Sequence, residues 1–390
     1  MAGVVVEQRM DERTAALDTG TQAATTVASH RTLWTVQVLR GVAALMVVLG
    51  HSQSAVGAAI ASGGQVFVRS TLVPWGAGVD LFFVISGFII VHASARLFGR
   101  PGARRDFVAR RLIRIVPLYG LVTTVFLALL AAATLKGGDR FPDPLAILAS
   151  YAFLPVDTYG DGRLFPVFDL GWTLNYEMLF YVLLALVVAW PRRRALVLLG
   201  VLLALFITVG QVTSLPAALW FWTRPIILDF GLGVAVGALV AGHVDLPPLL
   251  RLAIAIIGIA VLLADPAHVF DGPVGMTVAN SWPRVVFAGL PITAVLAAAL
   301  FGPEPRMPRA AVPFMRIGDA SYSLYLFHPF ALIAMEKAAQ KLPVVRHAPG
   351  WLLVLVTVAV AIALALAVYR WVERPMTTAL TIKLAPPRSA

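Results

Sequence analysis

An arginine and a histidine, Arg40 and His51, lie eleven positions apart inside one apolar stretch of the sequence. A helix turns about 100° per residue, so this spacing predicts both side chains on nearly the same face, roughly 16 Å apart along the axis. Ionisable groups in a lipid-length helix are costly and usually face a bundle interior or a water-filled cavity. The pair therefore predicts one hydrated functional crevice that both side chains share. The alternatives are an arginine that snorkels to the inner interface and a histidine at the opposite interface.

The composition is that of a polytopic helical membrane protein. Hydrophobic residues make up 59% of the chain and charged residues 13%, whereas globular proteins carry about 25% charged residues. The chain has no cysteine, which excludes disulfides, thiolate metal ligands and a thiol nucleophile. We interpret the net charge of +11 as the excess of cytoplasmic Lys and Arg that orients membrane proteins, not as a nucleic-acid-binding surface. The spacing of His, Asp and Glu predicts no metal site.

We predict an all-α transmembrane bundle of about ten spans with both termini in the cytoplasm. The most basic loop, 96–114, contains seven arginines and must be cytoplasmic. An even number of spans then keeps the later basic loops, including 192–194, on the same side. The predicted spans are 33–52, 76–95, 115–135, 169–190, 195–213, 217–241, 249–265, 284–302, 319–338 and 350–370.

The segments outside the spans complete this prediction. The apolar stretch 146–154 is short and leads into loop residues, so we assign it to an external re-entrant or interfacial segment, 136–168. Residues 1–32 are predicted to be a disordered cytoplasmic tail and residues 376–390 a second cytoplasmic tail. The membrane domain is expected to extend over residues 33–375.

Two polar residues follow in the second predicted span. Asp80 is expected at a depth close to that of His51, where a carboxylate could orient the imidazole as in a catalytic triad. The alternative is a capping or packing role. Ser86 is predicted to line a cavity.

Further polar groups lie in three other segments. Arg104, Arg111 and Arg114 fall near one helical face, which indicates topology and also suits binding of a phosphorylated ligand. Asn175 and Glu177 lie inside a span, where the carboxylate needs a partner such as Arg40. A third polar segment carries Tyr322 and His328 inside an apolar span. Its alternative interpretation is a packing histidine.

Five motifs in this order resemble the integral-membrane acyltransferase family three, which includes O-antigen acetyltransferases and exopolysaccharide modifiers. They are the arginine and histidine with ten residues between them, F-F-V-I-S-G-F, R-R-L-I-R-I-V-P-L-Y, W-T-L-N-Y-E-M-L-F-Y and Y-S-L-Y-L-F-H-P. The resemblance covers about residues 33–375. It implies a membrane acyltransferase domain of the bacterial inner membrane that transfers an acyl group, usually acetyl, from acyl-CoA to a sugar hydroxyl.

On this hypothesis the CoA phosphates meet Arg104, Arg111 and Arg114, the pantetheine arm passes Arg40, and the thioester lies near His51. His51 acts either as a general base or as the acyl carrier. No bound cofactor is expected, and acyl-CoA is the donor substrate. The expected partners are a glycan or lipid-linked oligosaccharide and membrane lipid. A homo-oligomer is compatible with this hypothesis. The predicted catalytic residues are His51, Arg40, Asp80 and Glu177. The predicted donor- or substrate-binding residues are Ser86, Arg104, Arg111, Arg114, Asn175, Tyr176, Tyr322 and His328.

A second hypothesis is a transporter or flippase for polysaccharide or lipid-linked sugar. Intramembrane His, Arg and Glu also suit proton coupling. No internal inverted repeat stands out in the sequence, which favours the enzyme.

Overall fold

The computed structural model describes residues 33–61, 63–137, 140–270 and 281–384, and no β-strand occurs among them. The helices are α1 (Trp34–Ala61), α2 (Ala77–Ala93), α3 (Ala103–Thr134), α4 (Pro144–Tyr151), α5 (Gly171–Val187), α6 (Arg192–Val212), α7 (Ala217–Trp222), α8 (Pro225–Ala241), α9 (Pro248–Ala264), α10 (Trp282–Leu300), α11 (Val312–Asp319), α12 (Ser321–Lys341), α13 (Pro343–Arg346) and α14 (Gly350–Leu384). Helix α8 opens with a 3₁₀ turn, Pro225–Ile227. Helices α10 and α14 contain π turns at Val285–Gly289 and Tyr369–Glu373.

The all-helical fold agrees with the prediction, and a helix lies at each predicted span. Five helices are long and apolar enough to cross a membrane, namely α1, α3, α6, α10 and α14. Four shorter apolar helices are α2, α5, α8 and α9. Helix α12 lies at the remaining predicted span and carries Glu336, Lys337 and Lys341 near its end. The chain is an integral membrane protein; the count of ten spans and the side of the termini stay predictions.

The apolar stretch near residue 150 forms only a short helix. Asp143 caps α4 by accepting from the backbone N–H of Ala146, and Pro144 occupies the first helical position. Eight residues extend about 12 Å, far less than a bilayer core needs. Helix α4 therefore cannot be an additional span. The predicted tail 1–32 lies outside the described residues, whereas residues 376–384 continue α14.

Glycines allow two pairs of helices to pack backbone against backbone. A Cβ at Gly87 of α2 would overlap the carbonyl oxygen of Phe230 in α8, and a Cβ at Gly233 would overlap that of Val84. A Cβ at Gly41 of α1 would in the same way overlap the carbonyl of Phe314 in α11. Small residues drive such close approach in membranes, where helix association depends on packing. These contacts hold α1 and α2 at the centre of the bundle.

A wall of buried aromatic rings holds α5 against α2 and α8. The Phe83 and Phe180 rings stack on Phe230 with centroids 4.4 and 4.9 Å apart. Trp172 meets Tyr176 edge to face at 6.1 Å. Stacked and edge-to-face rings pack tightly and resist rearrangement. Thr173, Glu177 and Tyr181, on the adjacent face of α5, line the candidate site.

Candidate active site

Two histidines from distant helices form a direct pair at the centre of the bundle. His51 Nδ1 on α1 lies 2.9 Å from His328 Nε2 on α12. The ring centroids are 5.1 Å apart and the ring planes are 20° apart. His328 is completely buried, and its Nδ1 lies 3.1 Å from the carbonyl oxygen of Leu324. The sequence predicted both histidines as site residues without predicting that they touch.

The hydrogen bonds of this pair determine where its protons lie. The Leu324 carbonyl can only accept, so His328 Nδ1 carries the hydrogen and its Nε2, in a neutral ring, accepts. His51 Nδ1 must then donate to His328, which leaves a lone pair on His51 Nε2. An imidazole nitrogen with a free lone pair can act as a general base or as a nucleophile.

His51 lies on the wall of a large cavity, called the histidine cavity below. Its empty volume is about 2310 Å³, including the open mouth. Aromatic side chains line much of it, including Trp75, Phe165 and Trp172. Charged side chains also face it, among them Arg69 and Asp169. The cavity thus combines flat apolar surfaces with a few charged and hydrogen-bonding groups, as ligand sites do.

Asp169 belongs to the loop that precedes α5. Burial raises the pKa of Asp169 to about 6, while Arg163 lowers it and Asp161 raises it by smaller amounts. Arg163 forms an ion pair with Asp161 and its guanidinium lies 5.2 Å from the Phe165 ring centroid. The carboxyl group of Asp169, at the wall of the histidine cavity, therefore loses its charge as the pH falls through about 6.

A second cavity, called the arginine cavity below, lies between α1, α2, α3, α5 and α12. Its empty volume is about 740 Å³, including the open mouth. The predicted site residues that line it are Arg40, Ser86, Arg111, Arg114, Glu177 and Tyr322. Three guanidinium groups face one carboxylate here, so the cavity suits an anionic ligand.

Hydrogen bonds fix the orientation of the charged groups in the arginine cavity. Arg40 donates from Nη1 to Gln37 Oε1 and from Nη2 to Ser321 Oγ, each at 2.8 Å. The guanidinium is held within the bundle and does not point at lipid. Tyr181 donates to Glu177 Oε1, and its ring lies 5.9 Å from the guanidinium carbon of Arg111. Glu177 is thus hydrogen-bonded to a tyrosine, while Arg40 is bonded to neutral side chains.

Arg40 and His51 do not share one crevice, so that part of the prediction was wrong. Arg40 lines the arginine cavity and His51 lines the histidine cavity. Val79 and Tyr325 border both. The helical spacing correctly placed the two groups on one stripe, but it could not show that side chains from α2 and α12 divide the space between them. The site has two compartments that meet at this junction.

The prediction that Asp80 orients His51 was also wrong. Asp80 accepts two hydrogen bonds from Arg284, at 2.8 Å from Nε and 2.9 Å from Nη2. Both side chains are buried, with exposures of 0% and 2%. A guanidinium at the start of α10 satisfies the carboxylate in a bidentate pair. No partner for Asp80 could be predicted from the sequence, because Arg284 lies 204 positions away.

Four predicted binding residues line neither cavity: His328, which bonds to His51, and three others. Asn175 is fully buried on another face of α5, and its side-chain amide finds no hydrogen-bond partner in the part of the chain that the structure describes. Tyr176 donates to the carbonyl oxygen of Phe221 within the aromatic wall. Arg104 is exposed and donates to the Leu186 carbonyl at 3.0 Å. The prediction failed for Tyr176 and Asn175 because their side chains leave the helix about 100° and 200° around its axis from Glu177.

Other side chains at the two cavities were missed from the sequence. Tyr181 is one turn beyond Glu177 on the same face of α5, so helical spacing could have indicated it. Arg69 and Asp169 lie in loops, where no periodicity points to a cavity. Arg284 occupies the first turn of a predicted span, a position typical of an interfacial cation, yet it is buried.

Comparisons with known proteins agree on one family. The family model described as "Acyltransferase domain" matches residues 34–370. The exopolysaccharide production protein ExoZ of Rhizobium meliloti (strain 1021) is 34% identical over 307 residues, which cover 77% of this chain and 89% of that protein. No solved structure matches the chain. The region matched by the family model contains both cavities.

Proposed function

Since the chain belongs to this acyltransferase family, we propose that it transfers an acyl group from acyl-CoA to a hydroxyl of an exopolysaccharide or its lipid-linked precursor. Acetyl is the acyl group we propose. The exopolysaccharide is suggested by the relative, which is an exopolysaccharide production protein. The location we propose is the bacterial inner membrane, with ten spans and both termini in the cytoplasm.

The observation that carries the proposal is the histidine pair at a cavity that meets a second, chemically different cavity at Val79 and Tyr325. His51 Nε2 has a lone pair and His328 holds the ring. One neighbouring cavity is lined by guanidinium groups and the other by aromatic rings. A reaction between a charged donor and a sugar acceptor needs two such chemically different sites around one base or nucleophile.

The arginine cavity is the donor site in this proposal. Arg111 and Arg114 lie in the basic segment that the charge rule assigns to the cytoplasm, where acyl-CoA is made. Their guanidinium groups suit the phosphates of CoA. Arg40, deeper in the bundle and held by Ser321, would stabilise charge that develops on the thioester oxygen.

The histidine cavity is the acceptor site. The loop between α1 and α2, predicted to be external, contributes Arg69 and Trp75 to its wall, and Asp169 contributes from just before α5. The apolar faces of a sugar ring can pack on indole rings, while its hydroxyls bond to the charged groups. In this proposal, a glycan hydroxyl bound in the cavity lies next to His51.

The chemical step can follow either of two balanced routes. In direct transfer, His51 Nε2 takes the proton of the hydroxyl, the oxygen attacks the thioester carbon, and the C–S bond breaks. The thiolate then takes a proton and leaves as free CoA. In the two-step route, Nε2 attacks the thioester carbon, the C–S bond breaks, and the thiolate takes up a proton and leaves as free CoA. The hydroxyl oxygen then attacks the acyl carbon, the C–N bond to the imidazole breaks, and the hydroxyl releases the proton that balances the one taken up by the thiolate. His328 positions the ring in both routes.

The test is an assay of the purified protein in detergent with acetyl-CoA and the host exopolysaccharide. We expect free CoA and acetylated glycan in equal amounts; a transporter would release neither. His51→Ala should lower kcat by at least about 100-fold, the usual contribution of a general base. An acyl group trapped on His51 after labelled donor alone would support the two-step route. If His51→Ala folds and keeps wild-type activity, the proposed mechanism is wrong.

His328 offers a sharper comparison. His328→Ala should lower kcat without changing the KM for acetyl-CoA, since the donor cavity is separate. His328→Gln should recover part of the activity, because its Oε1 can accept from His51 Nδ1. His347→Ala is the matched control, since His347 also bonds through Nδ1 to a carbonyl four residues earlier, whereas it is His328 that bonds to His51. Equal losses in His328→Ala and His347→Ala would contradict a positioning role.

A further inference from the structure

The junction between the two cavities separates the proposed donor from the proposed nucleophile or base. Tyr325 of α12 and Val79 of α2 border both spaces. An acyl group carried on CoA in the arginine cavity must pass these two side chains before its carbonyl carbon can reach the histidine cavity. The inference below rests on the proposed function and identifies what controls that passage.

The Tyr325 side chain is held in place across the junction. Its hydroxyl lies 2.9 Å from Thr173 Oγ1 and 3.1 Å from the Leu170 carbonyl, both at the start of α5. Its ring meets Phe82 edge to face with centroids 6.0 Å apart. Tyr325 is only 7% exposed. The ring therefore spans from α12 to α5 and is fixed at its far end by hydrogen bonds.

The helix that carries Tyr325 is weakened at this residue. Pro329 lies inside α12, four positions after Tyr325. Proline has no N–H, so the Tyr325 carbonyl lacks its usual helical donor. Pro329 also lines the histidine cavity. Fewer backbone hydrogen bonds constrain Tyr325 than an ordinary mid-helix residue, which lowers the cost of moving it.

We propose that Tyr325, with Val79 opposite, is the gate that selects the acyl group by size. The ring is displaced to let a short acyl group reach His51 Nε2, and it excludes longer chains. The chemical step itself is unchanged: the thioester C–S bond breaks, the acyl group bonds to Nε2 or to the acceptor oxygen, and the sulfur takes the proton. Tyr325 is a specificity-determining residue, separate from the residues that carry out this chemistry.

The expected selectivity follows from the size of the opening. One additional methylene in a pocket that is too small commonly changes rates by about 10- to 200-fold. Wild-type protein should therefore use acetyl-CoA well and butyryl-CoA, with two more methylenes, poorly. Removing the ring opens the passage, so Tyr325→Ala should raise the ratio of butyryl to acetyl transfer by about tenfold or more. Val79→Ala widens the same junction from α2 and should raise the ratio by a smaller factor.

The experiment compares these variants with a matched control in the purified protein. Tyr119 is also a buried tyrosine whose hydroxyl donates to a backbone carbonyl, that of Ser150 at 3.2 Å. It borders neither cavity. Tyr119→Ala should therefore leave the butyryl-to-acetyl ratio at the wild-type value, whatever it does to stability. CoA release with each donor, corrected for folded protein, gives the ratio.

The outcomes separate the gate from the proposed function. If wild-type protein releases no CoA from any donor, the acyltransferase proposal fails. If wild type is active and the ratio stays unchanged in both Tyr325→Ala and Val79→Ala, the gate is refuted. Should Tyr325→Ala not fold, Val79→Ala and Tyr325→Phe decide: the first widens the junction, and the second frees the ring from Thr173. An unchanged ratio in both of these also refutes the gate.

Discussion

Replacing Asp80 by alanine is expected to destabilise the protein, because it leaves Arg284 buried without its bidentate partner. Both side chains are at most 2% exposed. Breaking a buried ion pair by removing one member typically costs about 3–5 kcal/mol. Asp229 also attracts Arg284 electrostatically, so it compensates part of the lost charge. We therefore expect Asp80→Ala to lower the free energy of unfolding by about 3 kcal/mol, near the lower end of that range.

The assay is unfolding of the purified protein by increasing SDS in mixed micelles, with helicity as the signal. Asp161→Ala is the control within the same chain, because its ion pair with Arg163 is exposed. Exposed pairs contribute little, so that variant should unfold like the wild type. The double variant Asp80→Leu with Arg284→Met should recover most of the stability, since an apolar pair of similar size replaces a buried ion pair at little cost.

One result would refute this reasoning. If Asp80→Ala unfolds at the wild-type SDS fraction but no longer transfers acyl groups, Asp80 acts on the chemistry. The sequence-based hypothesis that it orients His51 would then have to be reconsidered. If stability and activity fall together and the double variant restores both, the role of Asp80 is to balance the charge of Arg284.

Two further predictions concern pH and packing. Because burial raises the pKa of Asp169 to about 6, its carboxylate is lost as the pH falls through that value, and the KM for the glycan should rise on the acidic side. Asp169→Asn should abolish this pH dependence of KM, and a variant that keeps it would contradict the role of Asp169. Gly233→Ala should destabilise the protein by about 1–3 kcal/mol in the SDS assay, since the new Cβ would overlap the backbone of α2. Gly200 has open space around it, so Gly200→Ala should be neutral or stabilising by up to about 1 kcal/mol. If Gly200→Ala is instead less stable than Gly233→Ala, α2 and α8 do not pack as described.

Much of the helical framework could be predicted because its causes are local. Apolar runs of bilayer length and the charges between them indicate where helices begin and end. The polarity of Arg40, Glu177 and His328 inside such runs also marked them as site residues, since burying an ionisable group requires a compensating environment. The short apolar run at α4 was correctly separated from the spans by its length and by the loop residues that follow it.

The pairing of these residues could not be predicted. His51 and His328 are 277 positions apart, and Asp80 and Arg284 are 204 apart. Helical periodicity gives the relative direction of side chains on one helix, but it does not give the rotation of that helix against its neighbours. Asn175 and Tyr176 illustrate this limit, since they adjoin Glu177 in sequence and face away from the cavity that Glu177 lines.

Residue order alone established a polytopic helical protein with ionisable groups buried inside its spans, because hydrophobic length and charge distribution are short-range properties. Only the tertiary structure shows that the site is divided into two cavities with Tyr325 between them. It also shows which nitrogen of the histidine pair donates a hydrogen bond and which accepts it. These features depend on how α1, α2, α5 and α12 rotate and pack against one another, and that packing is set by contacts between residues hundreds of positions apart.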